Sequence, residues 1–484
     1  MLGRAIQPDI EAMIEASQYD KLRQTMDELA PADVAEILDE LEDRQQAVVF
    51  RLLPTQRASE VFELLEIEGQ EKLILSLSKD QVTRILNEMS PDDRTHLLEE
   101  LPGEVSNRLL RSLNPEELRV ARALLGYPEE SIGRLMTPEY VAVKPDWTVT
   151  QTLDHIRREA PRVETINVIY VLDERGRLID DLRLGELLLA DPPSRVSEIV
   201  DDQFVSLLAT DDQEEAVEIF KKYDRVALPV TDTKGVMVGI VTVDDVLDVA
   251  EEEGTEDVHK FGGQAPLEDS YFATPALALC RKRGGWLALL LIGSFLTVNA
   301  MEAYSNLTVI LPLLTVFIPM VISSGGNSGS QSAALIIRGL AVREIELPQW
   351  RRIFLRELAM GLMLGLFLGI LASAYSMTLT RESAVSDRQA SKAGQLQAEA
   401  GPAISSEEAV RPYRQLRLPL LVLISITGIV TFGTLMGSML PFFFKSIRLD
   451  PAVCSGPFIA TFVDVSGIVL FFTLVQWIFS EFLT

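Results

Sequence analysis

The residue whose type and setting point most directly to chemistry is Asp464, the one carboxylate in the apolar stretch Val453–Phe479. A charge at the centre of a bilayer costs at least ~2.5 kcal/mol, and far more if nothing solvates it. Water, a counter-ion or a cation must meet it there, and the same stretch holds no lysine or arginine. A water-filled cation path meets that need. So would a helix-end position near the interface, or a hydrogen bond between packed helices.

A second concentration of carboxylates follows Val243, where Asp244, Asp245, Asp248, Glu251, Glu252, Glu253, Glu256 and Asp257 share one predicted helix. Like charges at helical spacing destabilise a helix unless they are neutralised. Carboxylate oxygens in such number suit hard ions such as magnesium and calcium; a solvated acidic helix is the plain alternative. Asp244, Asp248, Glu251, Glu252, Glu256 and Asp257 are the candidates for a cation-sensing role, because the run leads toward the first apolar span. Thr242 and Asp245 are spaced as a strand end and the next helix start, either to hold a ribose or to cap that helix.

Other chemistries lack their residues. His96, His155 and His259 are scattered, Cys280 and Cys454 fit no bridge, and no metal-thiolate pattern exists. No Gly-rich loop ending in Lys-Ser/Thr is present, which argues against a nucleotide-driven motor.

These residues sit in a chain of two unlike halves. Residues 1–283 carry 59 acidic and 31 basic side chains, a net of −28, against 12 and 13 from Gly284 onward, a net of +1. The acidic half attracts cations and repels nucleic acid and anionic lipid. The N-terminus lacks an apolar run of signal-peptide length, which predicts a cytoplasmic soluble half.

Hydropathy predicts five spans: Trp286–Tyr304, Leu307–Ile322, Phe354–Thr378, Leu418–Phe444 and Val453–Phe479. The second meets the run Ser323–Ser332 and resumes at Ala333, which predicts a helix interrupted at membrane depth, where freed backbone groups face protein or water, with a surface loop as the alternative. Arg281–Arg283, the arginines from Arg338 to Arg356, and Lys445 with Arg448 fall on one side of five spans. That side is cytoplasmic, and Thr484 lies outside. Residues 381–417, rich in Ala, Ser, Glu and Gln, predict a mobile polar loop. Gly361, Gly365 and Gly369, and Gly433 with Gly437, recur every four residues and predict close helix contacts, within one subunit or between two. A two-fold dimer would bring two copies of Asp464 together.

The first ~130 residues predict short helices opening at Ala30-Pro31, Leu53-Pro54, Ser90-Pro91, Leu101-Pro102 and Asn114-Pro115, stacked into a superhelical module. Residues 136 to about 250 hold an internal duplication. Each copy reads as helix, strand, a turn at Gly176 or Gly235, strand and helix.

The chain resembles the MgtE family of magnesium channels and transporters. The likeness rests on the acidic helical region, the paired repeats opening at Leu135-Met136-Thr137-Pro138, and the acidic connector. It also rests on Phe317-Ile318-Pro319-Met320 followed by Gly325-Gly326-Asn327-Ser328-Gly329-Ser330-Gln331-Ser332, and on Asp450-Pro451-Ala452-Val453-Cys454-Ser455-Gly456-Pro457-Phe458 with Asp464 beyond. Two departures are the longer link 381–417 and Ser323-Ser324 where Asp-Met is common.

The resemblance implies a multidomain membrane protein. An all-α superhelical magnesium-sensing domain spans 1–130 and an α/β pair of CBS domains spans 131–250. An acidic connecting helix over 251–283 acts as a plug, and a five-helix transmembrane pore spans 284–484. It implies a homodimer in the cell's plasma membrane, not an enzyme, with Asp464 at the ion-selecting constriction. It further implies closure by cytoplasmic magnesium, and ATP bound in the CBS pair of some members. Asp464, Asn327 and the backbone at Gly325-Gly326 and Ser455-Gly456 are the expected pore contacts for a largely hydrated magnesium ion. The expected activity is magnesium entry down its electrochemical gradient. The alternatives are passage of another divalent cation such as cobalt, or a membrane-anchored sensor of metal or adenosine nucleotide.

Overall fold

The computed structural model describes residues 2–267, 271, 274–310, 314–395 and 406–479, with side chains over 6–267, 271, 274–308, 314–379 and 417–479. The chain divides into two compact units, residues 1–253 and 254–484.

In the first unit, ten helices run from Leu2–Glu15 to Pro115–Leu124. The first packs on the third, the third on the fifth and the fifth on the seventh, while the second packs on the fourth and the fourth on the sixth. This makes a layered stack around one core that includes Val34, Ile37, Leu38, Phe50, Phe62 and Leu97. Proline opens the helices at Pro31, Pro91 and Pro115, where its missing N–H is no loss. Pro54 and Pro102 instead stand one residue before their helices. One of the ten, Pro91–Glu100, is termed α1 below.

The duplication folds as two matching three-stranded sheets. Strands β1 (Ala142–Val143), β2 (Val168–Leu172) and β3 (Leu178–Arg183) repeat as β4 (Leu207–Leu208), β5 (Ala227–Thr231) and β6 (Met237–Thr242). In each, the first strand is parallel to the second and the second antiparallel to the third. Gly176 and Gly235, at φ +75° and +77°, make the hairpin turns where a side chain would be strained. Those turns also join the copies: Leu178 N–H donates to Gly235 O at 3.2 Å and Met237 N–H to Gly176 O at 3.0 Å. Val168, Tyr170, Ala227, Met237 and Ile240 form a core shared between the repeats.

Helix α2 (Val243–Phe261) follows β6 and carries the acidic run. The connecting helix expected over 251–283 is not one helix. It stops at Phe261 because Gly262-Gly263 turns the backbone, with Gly263 at φ +73°, and the next helix opens at Ala276.

The second unit is built on α3 (Ala276–Ala303), α4 (Leu314–Ala341), α5 (Trp350–Gln395), α6 (Ser406–Ser446) and α7 (Gly456–Ile478). Among the described residues, Ala276–Ala303, Leu347–Leu379, Arg417–Ser446 and Gly456–Ile478 are long and apolar enough to cross a membrane. Helix α4 is as long, 28 residues, but its Ser/Gly run lowers its hydropathy, and 14 of its residues are buried. The mobile loop expected over 381–417 is also revised. Helices α5 and α6 run into it from both sides, since its Ala, Glu, Gln and Arg are good helix formers, and 396–405 lie outside the described residues.

No break interrupts α4. Its glycines serve close approach instead: a Cβ on Gly433 would lie 2.3 Å from Gly325 O, and one on Gly437 would lie 2.0 Å from Gly329 O. Gly361, Gly365 and Gly369 of α5 likewise meet α6, where added Cβ atoms would fall 2.8 Å from the backbone of Thr431, Thr427 and Leu423. These small-residue contacts therefore lie within one subunit.

Candidate functional site

Asp464 is carried on α7, nine residues past the N-cap Ser455 and so about 13 Å along the axis. Its carboxylate is half-buried, and no described residue gives it a hydrogen bond or an ion pair. Across from it, α4 presents Gly326. A Cβ there would sit 3.5 Å from Ala460 and 3.9 Å from Asp464 Oδ1, so the missing side chain leaves room beside the carboxylate. Asn327, next along α4, is exposed, and its amide donates to the Ser323 hydroxyl at 3.4 Å.

The other expected pore contacts are engaged elsewhere. Gly325 and Gly326 lie inside a continuous helix, whose carbonyls bond the amide four residues on. Ser455 O accepts from Ile459 N–H at 3.1 Å, and Gly456 O accepts from the Ser330 hydroxyl at 3.1 Å. The wholly buried Ser455 hydroxyl accepts from Phe458 N–H at 3.3 Å and from the Trp286 indole N–H at 3.0 Å. These hydrogen bonds build and dock two helices, and each carbonyl keeps a second lone pair.

Near the end of α2, Lys260 bridges Glu256 at 2.8 Å and Asp450 at 2.7 Å. Asp450 also accepts from Ala452 N–H at 2.8 Å. Burial works against the Lys260 charge, but its two carboxylate partners outweigh that and hold the ammonium above its ordinary range. Burial, then the nearby Asp450 charge, pushes the Asp257 carboxyl up despite Lys260 and Arg338.

The first unit gathers a different set of acids. Asp92 in the first turn of α1 is buried, and its carboxyl is pushed well above the usual range by burial, then by Asp245 and Asp93. Asp245 is pushed up to about 7 by burial, with Asp244, Asp93 and Glu164 adding to the shift and the Thr242 hydrogen bond opposing it. Asp93 is raised by burial and by Asp244 and Asp248, against the Ser90 hydrogen bond and His96. Glu252 lies within reach of His96 and Glu100, and Glu251 beside Asp248.

The six candidate gating acids therefore split. Asp244, Asp248, Glu251 and Glu252 belong with this cluster, whereas Glu256 and Asp257 belong with Asp450. Among the described residues no three such side chains stand ready to enclose a metal. A cation would have to draw them together.

Thr242 donates to Asp245 Oδ2 at 2.5 Å across the β6–α2 junction. The geometry is that of a helix start whose side chains bond each other. Sequence reasoning named Ser90-Pro91-Asp92-Asp93 only as a helix opening; the rise of the Asp92 carboxyl comes from burial and then from Asp245, 153 positions away.

Four segments match three known families. Residues 10–130 match the MgtE intracellular N domain, 132–191 and 196–252 each match a CBS domain, and 318–474 match MgtE, a divalent cation transporter. A magnesium transporter MgtE of Thermus thermophilus is 38% identical over 369 residues, covering 76% of this chain and 74% of the relative. Its namesake in Bacillus subtilis is 30% identical, covering 75% and 73%. A solved cytosolic domain of the Mg2+ channel MgtE in complex with ATP is 39% identical, covers 50% of this chain and 99% of its own, and superposes with a TM-score of 0.49. With a helical intracellular domain, a CBS pair and a membrane-spanning helical unit in the same order, the chain belongs to the MgtE family of divalent cation transporters.

Proposed function

We propose that the protein passes magnesium across the plasma membrane into the cytoplasm, down its electrochemical gradient. The observation that carries this reading is the Asp464 carboxylate, unpartnered among the described residues in mid-helix beside the space left by Gly326. Such a charge is costly in a membrane unless a hydrated cation meets it. Magnesium suits the site because it keeps several waters and binds through one or two carboxylates. In a homodimer two copies of Asp464 would share one ion. The membrane potential supplies about 4.6 kcal/mol for two charges at 100 mV. The magnesium transporters named above support the choice of ion.

Cytoplasmic magnesium closes the path in this reading. It neutralises the acids that α2 presents to Asp92 and Asp93, and those around Asp450. A ligand shifts such a balance only by binding the closed state better than the open one. The CBS pair is the place for a regulatory ATP. Thr242 and Asp245, bonded to each other at the start of α2, would have to part to meet its ribose, and we expect that binding to be weak or absent. The N-terminal and CBS domains face the cytoplasm, and the C-terminus lies outside.

Ion flux into liposomes tests the reading. Magnesium should enter the vesicles, cobalt should compete, and raising magnesium on the side of the soluble domains should stop the flux. A protein that moved no ion would be a membrane-anchored sensor instead.

A further inference from the structure

Trp286 of α3 joins the turn after α2 to α7, beside Phe261, whose ring lies 3.5 Å from the Cβ position of Gly456, and Lys282, whose ammonium donates to Pro266 O at 2.7 Å. Helix α2 ends in a closed turn, with Gly263 N–H donating to Lys260 O at 2.9 Å and Gln264 N–H to His259 O at 3.1 Å. Gly263 lies so close to the Trp286 ring that a Cβ would fall 2.6 Å from Cδ1 and 2.7 Å from Nε1. The same edge of the indole reaches α7, where the Gly263 Cβ position also lies 3.4 Å from Ser455 Oγ. Its N–H donates to Ser455 Oγ at 3.0 Å, and its ring lies 6.3 Å from the Phe458 ring. Ser455 is wholly buried, so no water replaces the indole as donor, and its own bond to Phe458 N–H is long at 3.3 Å.

We propose that Trp286 is a positioning residue: through its N–H on Ser455 and its Cδ1 and Nε1 against Gly263, it makes the N-terminus of the pore helix follow the end of the connecting helix. The inference rests on the transport reading for its consequence in flux, but not for the coupling itself. Asp464 lies on the helix that Ser455 caps, so whatever moves the turn at Gly262-Gly263 is delivered to the helix bearing the carboxylate. Two features make the link specific. The glycine at φ +73° admits the ring where any side chain would exclude it. The donor atom, rather than ring bulk alone, meets the cap. Trp286→Phe keeps an aromatic ring and removes the donor, together with the five-membered ring whose Cδ1 and Nε1 meet Gly263.

The full chain in liposomes tests this with magnesium as the probe. In wild type, amide hydrogen exchange over 456–460 should change with magnesium at the same midpoint as exchange over 259–264. In Trp286→Phe the 259–264 segment should still respond while 456–460 no longer does. The magnesium concentration that halves flux should rise about three- to tenfold, the range expected for one lost hydrogen bond, with flux at low magnesium retained. Unlinked midpoints in wild type would overturn the proposal, as would a Trp286→Phe protein whose 456–460 amides respond as before. If wild type carries no magnesium, the transport reading fails while the exchange data still decide the coupling. If Trp286→Phe fails to fold, the wild-type midpoints decide it alone.

Discussion

Gly326 stands across from Asp464, with 3.9 Å between the carboxylate oxygen and the point a Cβ would occupy. Gly326→Ala meets Ala460 at an ordinary contact distance, so the protein should fold while the space for a hydrated ion narrows and flux falls. Gly433→Ala is the contrasting case. Its Cβ would be 2.3 Å from Gly325 O, and backbone must shift. Overpacking of that kind costs about 1–3 kcal/mol, more than the ~1 kcal/mol that alanine gains over glycine in a helix. Thermal unfolding in detergent separates them: Gly433→Ala should unfold earlier and Gly326→Ala should not. The reverse order would mean that the α4–α6 contact is not a backbone contact.

The acids of the first unit predict a dependence on pH. Asp245, pushed up to about 7, and Asp92, also raised, bind a proton more tightly folded than unfolded. Their protonated forms add stability that is fully present below the unfolded value near 4 and is lost as pH rises through about 7. Magnesium-free protein should therefore melt higher at pH 6 than at pH 8, and Asp245→Asn should flatten the difference. Each kcal/mol corresponds to about 2–4 °C for a unit of this size. Stability that rose from pH 6 to pH 8 would show that these carboxyls are not held up as described.

Much of this was legible in the sequence. The duplication was readable because its turn glycines, Gly176 and Gly235, sit at matching places, and both fold as hairpins with φ above +70°. Helices α3, α5, α6 and α7 follow from apolar length alone. The Ser/Gly run of α4 misled for a physical reason. Glycine and serine break an isolated helix, and nothing local reveals that Gly433 and Gly437, about a hundred residues on, supply the matching gap. The Trp286–Ser455 bond and the Lys260–Asp450 pair were hidden in the same way, each joining residues more than 160 positions apart.

Lys260 predicts a graded effect at the base of the membrane unit. Lys260→Met leaves Asp450 and Glu256 facing each other without their shared cation. The pair is partly exposed, so the loss of stability is small. Protease cleavage in the turn at Gly262-Gly263 should nevertheless quicken in metal-free buffer, and magnesium should slow it again. Cleavage as slow as wild type without metal would mean that the lysine does not hold the turn.

Specific binding by the acidic run differs from general screening. Neutralising Asp244, Asp248 and Glu252 together should leave flux high at millimolar magnesium, and deleting 1–130 should weaken inhibition while the pore survives. In limited proteolysis of wild type, cutting near Gly254 and within 126–136 should slow with magnesium. Sodium at equal ionic strength should not slow it. Equal protection by both salts would mean simple screening of a −28 surface.

Asp464→Asn tests the central claim most directly, because it removes the charge while nearly keeping the shape. Purified variant and wild type, reconstituted side by side, are compared for magnesium flux and for competition by cobalt. Loss of an ion's charged partner predicts flux lower by about tenfold or more, altered competition, and unchanged folding, since an expensive membrane charge has gone. A variant carrying magnesium at the wild-type rate with wild-type selectivity would show that the Asp464 carboxylate does not select the ion.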